Sequence, residues 1–173
     1  MIKGFGLKTK GENRLERGGV IDRGRLASFR FDGQTYTGYA GDTLASALMA
    51  NGVKLVGRSF KYHRPRGILA AGAEEPNALV ELGTGAKREP NTRATQLELF
   101  DGLVAASQNR WPSLDLDLLA VNGLLAPLLK AGFYYKTVMW PTKAWTSVDE
   151  KLIRRAAGLG RASFAPDPAH YEK

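Results

Sequence analysis

Catalysis and ligand binding need particular side chains within reach of one another, and this chain of 173 residues contains no cysteine. Thiol nucleophiles, disulfide frameworks, zinc fingers and cysteine-held iron–sulfur clusters are therefore excluded by composition. His63 and His170 supply the two imidazoles, with no carboxylates grouped at ligand spacing, so a tetrahedral metal centre lacks its donors. Glu74 and Glu75 stand side by side before Pro76. Neighbours on an extended segment point to opposite faces, which suits a solvated loop better than a convergent acid–base pair. Gly83-Thr84-Gly85-Ala86-Lys87 has the look of a phosphate loop, but Ala86 replaces the glycine before the lysine and Arg88 stands where a magnesium-binding hydroxyl belongs. Gly4-Phe5-Gly6 and Gly158-Leu159-Gly160 are each too short for a dinucleotide fingerprint. No catalytic, cofactor-binding or metal-binding residue is assigned on these patterns.

The formal net charge is +8, with basic residues concentrated in 8–30 and 54–66. Charge alone confers only salt-sensitive, non-specific affinity for nucleic acid, and no RNP, KH, helix-turn-helix or zinc pattern accompanies it. Basic faces that are solvated, or that meet an acidic partner subunit, are the better reading, and no nucleic-acid partner is expected. The rival of a different class is a basic nucleic-acid-binding module that uses 54–66 with Phe60 and Tyr62 as stacking residues. The densest aromatic segment is 133–140 followed by Trp145, suited to a core or an interface. No apolar run approaches the roughly 20 residues needed to span a bilayer. The first 15 residues are rich in Gly and Lys rather than apolar, so the chain reads as cytoplasmic with no membrane partner.

The elements that would position these residues can be read from periodicity. Residues 1–25 are glycine-rich with few large apolar groups and read as an extended arm. Phe29 and Phe31 alternate with Ser28 and Arg30, Asp32-Gly33 tolerates positive φ, and 35–39 is β-branched and aromatic; this predicts a β-hairpin. Asp42 precedes the i, i+3, i+4 set Leu44, Ala47, Leu48, and Asn51-Gly52 follows, so 43–51 reads as a short helix capped by Asp42. Hairpin then helix is the opening of a β-grasp domain. Strands are predicted at 53–56, 78–82 and 96–100, a loop at 58–67 and a turn-rich connection at 83–93. Leucine-rich 114–130 reads as helical with a break near Pro127. Ser147 and Glu150 have capping-box spacing ahead of a helix at 148–157, and 165–169 reads as a linker. The predicted class is α+β: a β-grasp domain plus a C-terminal helical extension. The predicted units are an arm at 1–25, the β-grasp domain at 26–100, the helical extension at 101–160 and a linker at 161–173.

Phe31-Asp32-Gly33, Gly41 to Leu48, Gly52-Val53, Arg64-Pro65-Arg66-Gly67 and Ala78-Leu79-Val80 together resemble the ferredoxin-type [2Fe–2S] domain of amine- and proline-oxidising flavoenzyme complexes. In cluster-binding members a C-x4-C-x2-C run follows the Pro-Arg-Gly turn, and a fourth cysteine follows an Asn-x-Arg-Ala stretch. Those positions fall here on Ala70, Glu75, Ala78 and Thr95, so all four ligands are missing. Stretches 67–80, 88–95, 107–112 and 131–136 are similar to the cluster-less alpha subunits of heterotetrameric sarcosine oxidases, and the resemblance runs from about residue 18 to residue 160.

The resemblance implies a whole enzyme that oxidatively demethylates sarcosine to glycine, yielding hydrogen peroxide with formaldehyde or methylene-tetrahydrofolate. It implies FAD and FMN mainly with the beta subunit, NAD in a Rossmann-type domain of alpha, and tetrahydrofolate in a C-terminal domain of alpha, with no cofactor in these 173 residues. It implies a ferredoxin-like β-grasp domain without a cluster, with 161–173 as a linker toward a missing dinucleotide-binding domain, and the implied partners are the remaining domains of alpha and the beta, gamma and delta subunits. The chain is then a non-catalytic structural and assembly domain, inactive alone; the same domain of a related amine or opine oxidase or dehydrogenase is the alternative. Without thiolates, the loop around 70–78 must be held by packing and hydrogen bonds, with Pro76 stiffening it. Glu75 is expected to face solvent or a basic partner, because an unpaired buried carboxylate is costly. Loop 58–66 and aromatic segment 133–145 are expected to be contact surfaces.

Overall fold

The computed structural model describes residues 13–124 and 163–166. The first hairpin forms as its alternation requires. Strand β1 (Asp22–Phe31) turns Ala27, Phe29 and Phe31 inward, and β2 (Gln34–Ala40) returns antiparallel with Phe31 opposite Gln34. Asp32 (φ 49°) and Gly33 (φ 80°) make the two-residue turn whose twist matches the flanking strands. The arm predicted over 1–25 is shorter than expected, because β1 already begins at Asp22.

Helix α1 (Leu44–Ala50) lies against the sheet with Leu44, Ala47 and Leu48 fully buried. Gly38 makes the close approach possible: a Cβ there would stand 2.4 Å from Leu99 Cδ2 and 3.1 Å from Ala47 Cβ. The cap is Thr43 rather than Asp42. Thr43 and Ser46 form a reciprocal capping box, each side chain accepting from the other's backbone N–H. Asp42 instead turns inward, accepting from Tyr39 N (2.9 Å) and Ser46 Oγ (2.7 Å), and from Nη1 and Nη2 of Arg14 at 3.0 and 2.7 Å. Arg14 thereby straps the arm across the start of the helix.

Two short strands, β3 (Gly57–Arg58) and β4 (Pro65–Arg66), pair antiparallel and close the basic segment that was expected to be a plain loop. Residues 53–56 form no ladder; pairing begins at Gly57. The main sheet continues with β5 (Leu79–Leu82), β6 (Glu89–Arg93) and β7 (Leu103–Ser107), in the order β2-β1-β7-β5-β6. Strand β7 runs parallel to β1 and antiparallel to β5. This is a β-grasp sheet in the α+β class, as expected.

Further expectations are corrected. Residues 89–93, expected to belong to a turn-rich connection, form β6 at the edge of the sheet, so that only 83–88 remain as the turn. The sheet does not end at residue 100: β7 lies within the segment assigned to a helical extension, and it is the middle strand, with Leu103 and Ala105 buried between the two halves. Residues 96–100 are not a strand, because their backbone serves the helix. Leu97 O accepts from Leu44 N and the nearby Ala94 O from Ala45 N, which satisfies donors that the first turn of any helix leaves unpaired, and Leu99 N donates to Asp42 O just before the cap. The start of the predicted helix over 114–130 is a 3-10 turn, Leu118–Gly123, capped by Asp117. Residues 125–130, the helix predicted at 148–157, aromatic segment 133–145, His170 and most of 161–173 lie outside the described residues.

Candidate functional site

The positions singled out by the missing ligands come together around the loop between β4 and β5. Ala78 and Thr95 are buried, Ala70 is half-buried, and Glu75 is fully buried. Glu75 Oε2 accepts the backbone N–H of Leu69 (2.7 Å) and of Ala70 (2.5 Å). Its Oε1 accepts those of Asn77 (2.6 Å) and Ala78 (3.1 Å). Burial pushes the carboxyl pKa up, but the bonds from Ala70, Asn77, Leu69 and Ala78 more than offset it, and the group is held below its ordinary value. The expectation that Glu75 faces solvent or a basic partner is therefore wrong: a buried carboxylate is tolerated when its lone pairs are filled by convergent donors. Glu74 is exposed and accepts from Gly72 N (3.2 Å), while Glu75 accepts from four other amides, so the adjacent carboxylates share no donor.

Further bonds close the loop on its neighbours. Thr95 Oγ1 donates to Gly72 O (2.8 Å), Glu75 N donates to the same carbonyl (3.2 Å), and Ala94 N donates to Ala78 O (2.9 Å). Arg93 Nε donates to the backbone carbonyl of Glu75 at 3.3 Å. Thr95, at the fourth ligand position, thus ties the loop to the end of β6 by a hydroxyl instead of a thiolate.

A second cluster, absent from the sequence reading, lies under the basic hairpin. His63 is buried at positive φ (53°), and its Nδ1 lies 2.7 Å from Asp117 Oδ2. Arg58 turns inward: Nε and Nη2 donate to Leu114 O, Nη1 donates to His63 O, and Nε lies 3.5 Å from Asp117. Asp117 Oδ1 also accepts from Trp111 N and Leu119 N, both at 3.1 Å. The alternation Leu114-Asp115-Leu116-Asp117-Leu118 puts both aspartates on one face without saying which is buried. Arg58, His63 and Asp117 act as a clasp that ties 111–119 to the hairpin.

The outer face of the hairpin borders a concavity of about 450 Å³ lined by Phe60, Tyr62, Arg64, Arg66 and Asn77, among others. Arg64 stacks on Tyr62 (4.9 Å), and Phe60 is exposed. Arg66 Nη1 donates to Asn77 Oδ1 at 2.8 Å, linking the hairpin to the Glu75 loop. Residues 83–87 form the turn between β5 and β6, as expected. The 3-10 turn Gly85–Lys87 sits there, with Gly83 at φ 72° against Lys87 O.

A β-grasp sheet of this order, with a loop between β4 and β5 wrapped around one fixed centre, defines a ferredoxin-type domain. Residues 24–110 match the family described as 2Fe-2S iron-sulfur cluster binding domain, and the chain belongs to that family. Its relatives include sarcosine oxidase subunit alpha of Rhizobium meliloti (strain 1021), 64% identical over 160 residues, which are 92% of this chain and 16% of that protein. Sarcosine oxidase subunit alpha of Corynebacterium sp. (strain U-96) is 42% identical over 91 residues, 51% of this chain and 9% of that protein. The counterpart from Corynebacterium sp. (strain P-1) is 38% identical over 114 residues, 66% of this chain and 11% of that protein. The resemblance to sarcosine oxidase alpha subunits is thus borne out, and the chain spans about one sixth or less of these relatives. L-proline dehydrogenase from P. horikoshii overlays with a TM-score of 0.40 at 22% identity, covering 56% of this chain and 18% of that one.

The family's cluster does not fit this chain. Ala70, Glu75, Ala78 and Thr95 offer no thiolate, the amides facing the loop's centre are taken by the Glu75 carboxylate, and among the described residues no group of three or more His, Cys, Asp and Glu could hold a metal ion. No helix among them is long and apolar enough to cross a membrane.

Proposed function

We propose that the chain is the N-terminal structural and assembly domain of a sarcosine oxidase alpha subunit and takes no part in electron transfer. The observation that carries this reading is the Glu75 carboxylate bonded to four loop amides where the family's redox centre would sit. In the whole enzyme, sarcosine is demethylated oxidatively to glycine, with formaldehyde or methylene-tetrahydrofolate and hydrogen peroxide as products. FAD, FMN, NAD and tetrahydrofolate are held by other domains and subunits. The domain contributes a rigid surface to the rest of alpha and to the beta, gamma and delta subunits in the cytoplasm, with 161–173 leading to a dinucleotide-binding domain.

The hairpin of β3 and β4 is the contact surface favoured here, since exposed Phe60 and the Arg64–Tyr62 stack are residue types that anchor interfaces. A nucleic-acid role is disfavoured, because Arg58 and Arg66 of the same hairpin are turned to internal hydrogen bonds.

The test is Phe60→Ala with Arg64→Ala in the full-length alpha subunit, co-expressed with its partners. Recovered complex and sarcosine-dependent peroxide formation should both fall several-fold, while the melting temperature of the isolated 173-residue chain moves by less than about 2 °C, as for exposed substitutions. Wild-type assembly and activity would remove the hairpin from the interface. Turnover of another secondary amine in preference to sarcosine would move the enzyme to a related amine oxidase.

A further inference from the structure

The loop between β4 and β5 contains an anion site. Backbone N–H groups from two separate stretches, Leu69 with Ala70 and Asn77 with Ala78, converge on one pair of oxygens, and convergent amides attract negative charge whatever group supplies it. We propose that this four-amide nest has the chain's own Glu75 carboxylate as its resident ligand, in place of the family's inorganic cluster, and that a free monocarboxylate such as formate or acetate binds there when that side chain is removed.

Three features support this. The donors divide two and two between Oε2 and Oε1, a pattern that selects a planar two-oxygen anion over a halide. Two cations border the loop without pairing with the carboxylate: Arg66 bonds Asn77 Oδ1, and Arg93 bonds the backbone carbonyl of Glu75. Backbone dipoles therefore hold the charge, and an uncharged substitute would strand buried donors. Finally, Ala70 and Ala78, two of the positions that the resemblance aligns with ligands of cluster-binding family members, have short side chains and act through their N–H groups, so the nest survives the loss of the Glu75 side chain.

The experiment is a melting series on the full chain carrying Glu75→Ala, in formate, acetate or chloride at equal ionic strength, beside wild type. Glu75→Ala should melt about 5–15 °C below wild type. Formate and acetate should restore part of that loss with saturation, while chloride on the variant, and formate on wild type, shift the transition by less than about 1 °C. In amide NMR, Leu69, Ala70, Asn77 and Ala78 of the variant should move with formate along one saturation curve. Equal action of formate on variant and wild type, or no advantage over chloride, would overturn the proposal. If Glu75→Ala does not fold, Glu75→Gln takes its place: upfield movement and lost exchange protection of the Leu69, Ala70, Asn77 and Ala78 amides support the nest, and wild-type shifts with wild-type melting refute it. None of these outcomes depends on the sarcosine oxidase reading.

Discussion

Replacing Glu75 by Gln keeps the shape of the side chain and removes its charge, so the effect isolates the electrostatics of the loop. The carboxylate accepts four backbone bonds, two on each oxygen. A glutamine oxygen can retain two of them, while its NH2 group faces the remaining two donors, which are then buried without an acceptor. Each stranded donor costs about 1–3 kcal/mol, so a loss of about 3 kcal/mol is expected at neutral pH. For a chain of 173 residues that lowers the melting temperature by roughly 6–12 °C. The pH dependence has a definite sign. The folded pKa of Glu75 is depressed, so its stabilisation is fully present above the unfolded value and is lost as pH falls through the folded one. Melting curves of wild type and Glu75→Gln between pH 7 and 3 should therefore show a gap that is widest at neutral pH and narrows below about pH 4. A variant within about 1 °C of wild type at pH 7, or a gap unchanged down to pH 3, would refute the reasoning.

Gly38→Ala should cost about 1–3 kcal/mol, because the new methyl meets Leu99 and Ala47 where helix and sheet are closest; urea denaturation checks this. Asp117→Ala leaves buried His63 without its hydrogen-bond partner and removes the carboxylate 3.5 Å from Arg58 Nε, so a loss of about 3 kcal/mol and faster proteolysis within 111–124 are expected. Reconstitution with iron and sulfide should give no visible [2Fe–2S] absorption; a stoichiometric spectrum would show that the assignment of ligand positions is wrong.

The Glu75 loop shows how a metal-organised segment can keep its shape without metal. A cluster joins distant parts of the backbone through its ligands; here one carboxylate joins 69–70 to 77–78, and one hydroxyl joins Gly72 to Thr95. The order is local and electrostatic, so it confers no redox potential. It also leaves the basic hairpin coupled to the loop through Arg66 and Asn77.

Some of this was legible in the residues alone. Alternation of Phe29 and Phe31 ahead of Asp32-Gly33 specified the first hairpin, and the spacing of Leu44, Ala47 and Leu48 specified α1, because each depends on neighbours a few positions away. Absence of cysteine settled the question of a thiolate-held cluster outright. Partners chosen at long range were not legible. The short run at 103–107 becomes the middle strand only because β1 and β5 flank it, while 96–100, equally strand-like in composition, has its backbone taken by the start of α1. Glu75 carries a charge, and a charge reads as exposed until the fold delivers four amides to one point. Asp117 meets His63 across 54 residues of chain for the same reason. Local pattern determines which groups require partners, and tertiary packing determines which partners they find.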